Sequence, residues 1–377
     1  MRDRLKVAFF ISSLEAGGAE RVVSLLIPEL LLHYDVTLIL FNNTINYPLP
    51  PDVRIIILDQ RAKFLGRFLA LPFLAWHYKK RCQSLGIEIS LSFLNRPNYC
   101  AVLAQCMGLH VKMIISERAM PLLQHQYGLK GFVNRLLMRW LYPKAECIIV
   151  NSKRNAWVLH NAFGLKNVKT IVNPTTLQAD SVQKQKIPFT FITIGRLDEG
   201  KNHCSLLEAM VHVNAQLWII GEGVLRSKLE YQIEKLNLKH KVKLLGYQAN
   251  PAQWLLQANA FVFSSLYEGF PNVLLEALSC GLPVISTDCL SGPREILAPQ
   301  TDYMYQMTKD IEVAEFGILV PINDAQAMQK AMQCLIDDEV LYAHYCSQAF
   351  KRAQDFAIES IAKQWCNILE GKMPCAE

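Results

Sequence analysis

The 377-residue chain has no apolar run long enough to cross a bilayer, no close pair of cysteines and no complete phosphate-binding fingerprint. Its most apolar basic-flanked stretch, Arg61–Arg81 (RAKFLGRFLALPFLAWHYKKR), is apolar only in the middle, short of the roughly 20 residues a spanning helix needs. The eleven cysteines are scattered, odd in number and free of any C-x-x-C spacing, which argues against a disulfide framework or a zinc site. Most read as small buried apolar residues in a reducing compartment. G-x-G-x-x-G and G-K-S/T are both missing, so neither a dinucleotide fold nor a P-loop is specified. Charged residues are only 19% of the chain and apolar ones 51%, an ordinary globular balance that excludes a disordered protein. The basic start and short apolar run of MRDRLKVAFFIS pass into a glycine pair and a periodic helix. That suits a first strand and its turn better than a cleaved leader, and places the protein in the cytoplasm.

What is present is unevenly divided. Residues 1–180 hold 22 Lys or Arg against 11 Asp or Glu, whereas residues 181–377 hold 17 against 22. A basic first half implies an anionic partner, whether nucleic acid, a polyphosphate ligand or an acidic membrane surface. A nucleic-acid module needs a cationic stripe with stacking aromatics. Here the aromatics keep company with leucines, so nucleic acid is not expected. In Arg61–Arg81 and in Lys130–Lys144 (KGFVNRLLMRWLYPK), basic residues alternate with Phe, Trp and Leu. Such segments either pack on the core or lie in a membrane interface with their cations at anionic headgroups, and the second reading is favoured.

Both halves alternate strand-like and helix-like segments. Lys6–Ser12, Val36–Phe41, Val53–Leu58, Ile89–Phe93, Lys112–Ser116 and Glu146–Asn151 read as strands. After a polar passage the series restarts with Phe189–Ile194, Leu217–Ile220, Val242–Leu245, Ala260–Ser264 and Val284–Ser286. Aliphatic runs separated by helix-length segments predict two parallel sheets with helices on both faces. Helices are expected over Ala19–His33, Asn202–Val213 and Ile361–Leu369. The boundary falls near Pro174, giving domains 1–174 and 175–355, with 356–377 a terminal helix able to cross back to the first domain.

Three motifs follow strands. Gly17-Gly18 would let a ligand approach the backbone and leave helix N-terminal amides for an anion, or it is simply a tight turn. Gly195-Arg196-Leu197-Asp198-Glu199-Gly200-Lys201 sets two cations where a parallel sheet presents ligand residues, and a departing diphosphate needs such cations. Ser264–Ala277 (SSLYEGFPNVLLEA) ends a strand, turns at Gly269 and Pro271, and opens a helix with Asn272 as a suitable N-cap. Glu276, in an apolar helical run, needs a partner such as a ribose diol unless it is merely solvated. Gly221-Glu222-Gly223 and Gly246-Tyr247 follow two further strands; the latter could border a base.

These residues in this order resemble the retaining nucleotide-sugar glycosyltransferases of family 4. The family's two glutamates separated by seven residues match Glu268 and Glu276, its arginine and lysine match Arg196 and Lys201, and its glycine loop matches Gly17-Gly18. The resemblance implies the GT-B architecture, two Rossmann-like parallel-sheet domains facing across a cleft, and a retaining transfer that needs no metal or other cofactor. Arg196 and Lys201 would neutralise the donor diphosphate, Glu276 would hold the ribose, and Glu268 would lie beside the transferring sugar. Gly246 and Tyr247 would border the base, with Phe270, Pro271 and Asn272 lining the sugar–diphosphate region. Many family members carry a histidine where this chain reads Ile114-Ile115-Ser116-Glu117-Arg118; His125 nearby reads as solvated. Glu117 and Arg118, with Arg96 and Asn98 of FLNRPNY, are acceptor-side candidates.

More narrowly, SSLEAGGAERVVSLLIPEL, FLNRPNY, Arg61–Arg81 and GRLDEGKNH are similar to bacterial family 4 enzymes of protein N-glycosylation. These add N-acetylgalactosamine (GalNAc) to undecaprenyl-diphosphate-linked diacetylbacillosamine. The resemblance implies UDP-GalNAc as donor, an α-1,3 bond, and a peripheral enzyme at the cytoplasmic face of the inner membrane. The alternative is another UDP-sugar-dependent family 4 transferase of lipopolysaccharide, capsule or other lipid-linked oligosaccharide synthesis. A nucleotide-sugar epimerase shares the architecture, and a nicotinamide dehydrogenase is disfavoured by the missing fingerprint.

Overall fold

A computed structural model describes residues 4–15, 17–58, 70–121, 128–178 and 188–372. His125 and the first part of Arg61–Arg81 fall outside these residues. Two units divide the chain: one runs to Pro174 and resumes at Ile358, and the other is Thr175–Ala357.

The first unit holds seven strands: β1 (Lys6–Ile11), β2 (Asp35–Leu40), β3 (Arg54–Ile57), β4 (Ile89–Phe93), β5 (Lys112–Glu117), β6 (Cys147–Val150) and β7 (Val168–Thr170). Their order is β3-β2-β1-β4-β5-β6-β7, with every pairing parallel. Aliphatic side chains leave both faces of β1, β4 and β6 almost wholly buried, as a parallel sheet between two helical layers requires. From β1 through the helix Gly18–Leu31 to β2 the chain steps one way across the sheet. Through the helices Asn95–Cys106, Gly128–Leu141 and Lys153–Phe163 it steps the other way. Right-handed crossovers therefore put these two sets on opposite faces. The helix Ile358–Leu369 packs on Gly18–Leu31, and its Ile361, Trp365 and Ile368 join a core with Val22, Leu26 and Phe93. Lys112 donates to the carbonyls of Ile368 (2.8 Å) and Leu369 (3.2 Å), which fastens the end of that helix.

The second unit repeats the plan with β8 (Thr190–Ile194), β9 (Gln216–Ile220), β10 (Val242–Gly246), β11 (Ala260–Phe263), β12 (Val284–Thr287), β13 (Glu312–Ala314) and β14 (Gly317–Val320). The order is β10-β9-β8-β11-β12-β14-β13, parallel except for β13 against β14. In each sheet the strand order reverses beside the first strand, between β1 and β4 and between β8 and β11. Ligands of open α/β sheets sit outside the carboxyl ends of the strands at such points.

The eleven expected strands all form, with no end shifted by more than one residue. β7, β13 and β14, of three or four residues each, were not expected. The helix expected over Asn202–Val213 is shorter, His203–Met210: Asn202, in a left-handed conformation (φ +49°), is its N-cap, and Val211 its C-cap. Asn272 is not an N-cap. It is the first residue of the helix Asn272–Ser279, and Pro271, extended at ψ 110°, holds the cap position. Nine of the described cysteines are free thiols, but only Cys82, Cys100 and Cys289 of these are buried.

Candidate active site

The expected donor-side residues of the second unit lie in the loops that follow β8, β10 and β11 and on the helix Asn272–Ser279, whereas Gly17 and Gly18 belong to the first unit. The chain leaves β8 through Gly195 and Arg196 and makes a short 3-10 turn over Glu199–Lys201, whose start is capped by Asp198 accepting from the Lys201 amide. Two bonds stitch this loop to the one leaving β11: Ser264 Oγ donates to the Lys201 carbonyl (2.8 Å) and the Leu266 amide to the Gly200 carbonyl (2.8 Å). The stitching brings Lys201 Nζ to 2.5 Å from Glu268 Oε1, with both side chains mostly covered, and sets the ammonium 5.2 Å from the centre of the Phe263 ring. Arg196 instead points to solvent. Its side chain is 79% exposed, and its Nε lies 3.5 Å from Asp198.

Close backbone crossings support this arrangement. Gly221, at φ +141°, passes so near that a Cβ there would sit 1.9 Å from the Gly195 carbonyl oxygen, so only glycine fits. The Gly195 amide donates to Ile220 and the Leu197 amide to Glu222, tying the loop after β8 to the loop after β9. Gly246 ends β10, and its carbonyl accepts from the Gly221 amide; Tyr247 beside it is exposed. On the other side, Ser291 Oγ donates to the Gly269 carbonyl and the Glu268 amide to the Leu290 carbonyl. Gly292 (φ +93°) sits against Phe270 and Pro271, where a Cβ would lie 2.5 Å from the proline ring. Phe270 and Pro271 are buried, with Phe270 edge-on to Phe356, whereas Asn272 and Glu276 are half-buried on the helix they share.

An ion-pair network next to the Leu290–Gly292 turn was not foreseen. Arg294, 4% exposed, meets Asp288 through Nε and Nη2, Glu312 through Nη1 and Nη2, and Thr301 through Nη1. Asp288 also accepts from the Met307 amide. Hydrogen bonding to the two carboxylates holds the Arg294 guanidinium above its ordinary pKa, against the cost of burial. His203 was also passed over. It is buried beside Lys201, and burial, then that cation, push its pKa down to about 4, so the ring is neutral at neutral pH.

In the first unit, three of the four acceptor-side candidates come together. Glu117, at the end of β5, is fully buried and accepts from Tyr142 Oη (2.7 Å) and the Arg118 amide (3.1 Å). Burial pushes its pKa up to about 7, opposed by the Tyr142 hydrogen bond. Asn98 donates to the Ser116 carbonyl and to Tyr142 Oη, and accepts from Ser92. Arg118 donates to the Ile171 carbonyl and Asn173 Oδ1, and its guanidinium stands over Phe93 and Trp365. Its pKa falls to about 9, chiefly from burial. Arg96 stands apart, 4.9 Å over the Phe41 ring. Gly17 is extended and caps the helix Gly18–Leu31. The carboxylate of Glu20 lies so close that a Cβ at Gly17 would meet its oxygen at 2.2 Å, so a negative charge already stands at this helix start. Among the described residues, no group of three or more His, Cys, Asp or Glu is placed to hold a metal ion.

Two open parallel sheets with cations and carboxylates at a switch point define a class, the GT-B glycosyltransferases. Solved structures carry the same fold. Sucrose-phosphate synthase of Thermosynechococcus elongatus superposes with a TM-score of 0.82 at 20% identity over 98% of this chain and 99% of its own. Anabaena HepE in complex with UDP-glucose gives 0.76 at 17% identity over 98% and 100%. Residues 16–178 match the profile described as Glycosyltransferase Family 4, and residues 175–352 the one described as Glycosyl transferases group 1. A Campylobacter jejuni enzyme is 36% identical over 97% of this chain and 100% of its own. It is named N-acetylgalactosamine-N,N'-diacetylbacillosaminyl-diphospho-undecaprenol 4-alpha-N-acetylgalactosaminyltransferase. A second from that organism, the GalNAc-alpha-(1->4)-GalNAc-alpha-(1->3)-diNAcBac-PP-undecaprenol alpha-1,4-N-acetyl-D-galactosaminyltransferase, is 28% identical over 97% and 98%. The chain belongs to glycosyltransferase family 4 and is a nucleotide-sugar-dependent transferase related to the bacterial enzymes that build lipid-linked GalNAc chains.

Proposed function

We propose that this enzyme transfers GalNAc from UDP-GalNAc to an undecaprenyl-diphosphate-linked sugar, with retention, in protein N-glycosylation at the cytoplasmic face of the inner membrane. The observation that carries the chemistry is the Lys201–Glu268 contact at the β8/β11 switch point. Lys201, with Arg196 swinging in from solvent, would neutralise the diphosphate as the sugar–oxygen bond breaks. Glu276 would accept from the ribose hydroxyls, and Glu268 would keep Lys201 in place beside the sugar. Gly246 and Tyr247 would border the uracil, with Phe270, Pro271 and Asn272 along the sugar–diphosphate region. The acceptor hydroxyl would attack from the face that the diphosphate leaves, its proton passing to the departing phosphate oxygen. Asn98, Glu117 and Arg118 would belong to the acceptor side.

Two acceptors have support. The N-terminal and FLNRPNY motifs favour an α-1,3 bond to diacetylbacillosamine itself. The name of the 36% identical relative favours an α-1,4 bond to an acceptor that already carries GalNAc. A panel assay separates them: purified enzyme, several UDP-sugars, and diphosphate-linked acceptors with and without the first GalNAc. Turnover of UDP-GalNAc on the bare bacillosamine acceptor supports the α-1,3 reading, and turnover only on the extended acceptor the α-1,4 reading. Turnover solely on a lipopolysaccharide or capsule precursor would overturn both.

A further inference from the structure

The helix Gly128–Leu141 carries apolar residues on two opposite sides, and the fold uses only one. Gly131, Met138 and Leu141 are buried, as is Asn134, which accepts from Tyr99. At the α-helical repeat, Leu129, Phe132, Leu136 and Trp140 fall within roughly 80° of one another on the other side. They are 80%, 52%, 51% and 60% exposed. Arg135 and Arg139 border this stripe, and Lys144 lies 5.7 Å over the Trp140 ring.

Two helices of the same layer repeat the device. The helix Leu71–Leu85 packs against Asn95–Cys106, which in turn packs against Gly128–Leu141. The helix Lys153–Phe163 is placed on that face by its right-handed crossover between β6 and β7. Trp76 is half exposed with Lys80 5.9 Å over its ring, and Trp157 is 41% exposed with Arg154 at 5.9 Å. None of these four helices contains a single Asp or Glu, although Lys79, Lys80, Arg81, Arg135, Arg139, Lys153 and Arg154 lie on three of them. An ordinary solvated face mixes both signs of charge. Exposed tryptophans capped by cations, with no acid among them, match the headgroup zone of a bilayer.

We propose that this helical layer is the membrane-docking surface of the enzyme, the Leu129–Trp140 stripe entering the interface and the surrounding cations meeting anionic lipid. The inference rests on the reading of a membrane-held acceptor and adds the face that reaches it. No described helix is long and apolar enough to span, so attachment through this face is by insertion of side chains rather than of a segment.

The test is co-sedimentation with phosphatidylcholine vesicles, with and without phosphatidylglycerol. The expected result is binding that needs phosphatidylglycerol and weakens with salt. Phe132→Ser with Trp140→Ser should lower the partition coefficient about tenfold or more, and Lys80→Glu with Lys144→Glu should remove the preference for anionic lipid. Turnover on a water-soluble short-chain acceptor should be unchanged in both. Equal binding by wild type and the Phe132/Trp140 variant would overturn the proposal. So would a wild-type dimer that this variant dissolves without any vesicle binding, since a second copy would then cover the stripe. Failure of the acceptor reading looks different: normal vesicle binding with no turnover on any diphosphate-linked sugar.

Discussion

Replacing Lys201 with methionine tests the site most directly, because the substitution keeps the stem and removes only the charge. Two consequences are separable. For catalysis, loss of one preorganised cation aimed at a departing diphosphate should cost about 3–4 kcal/mol of transition-state stabilisation, or a fall in kcat of roughly 100- to 1000-fold. For stability, the change strands Glu268. Its partner removed, a carboxylate with a side chain only 16% exposed loses its counter-ion. A fully buried orphan costs about 3–5 kcal/mol and an exposed one almost nothing, so this intermediate burial predicts about 1–2 kcal/mol.

The double variant, Lys201→Met with Glu268→Gln, discriminates between the two effects. With both charges gone the orphan disappears, and the urea midpoint at constant m should return to within about 1 kcal/mol of wild type. Turnover should not recover. Steady-state kinetics with saturating UDP-GalNAc beside urea unfolding of all three variants gives the answer. Turnover within threefold of wild type in Lys201→Met would refute the catalytic role, and a double variant as unstable as the single one would refute the stranded carboxylate.

Glu276→Ala should raise the KM for the nucleotide sugar about tenfold or more, the worth of hydrogen bonds to a charged group, with unfolding unchanged; an unaltered KM places the ribose elsewhere. Arg294→Met strands Asp288 and Glu312, of which Asp288 is almost fully buried, and should cost about 3–5 kcal/mol in thermal or urea unfolding. A loss under 1 kcal/mol would show that the Leu290–Gly292 turn does not depend on it. Glu117 has a folded-state pKa raised from 4.5 to about 7, so the folded chain binds the proton more tightly than the unfolded one. Its contribution to stability is present below pH 4.5 and is lost as pH rises to 7. Glu117→Gln should therefore flatten that slope by on the order of 3 kcal/mol, read from urea midpoints across this range.

How far the residues reveal the enzyme depends on whether chemistry or packing selects them. That Gly195–Lys201 and Glu268–Glu276 follow strands was legible because each comes after an aliphatic run, a local pattern that a linear reading can see. That Lys201 reaches Glu268 was not legible. Sixty-seven residues separate them, and the contact exists because β8 and β11 are neighbours and Ser264 bonds back to Lys201. Asp288 and Arg294 stayed hidden for a different reason: in a linear reading they are two ordinary charges, and only burial makes them a clamp. Glu117 shows the same limit from the opposite side. Standing where the family's histidine would be, it invited a direct role in binding, yet its carboxylate is fully enclosed and spent on Tyr142 and the turn it begins. Candidate loops could thus be read along the chain, whereas the contacts that hold them in place are distributed by the strand order, and only the fold displays them.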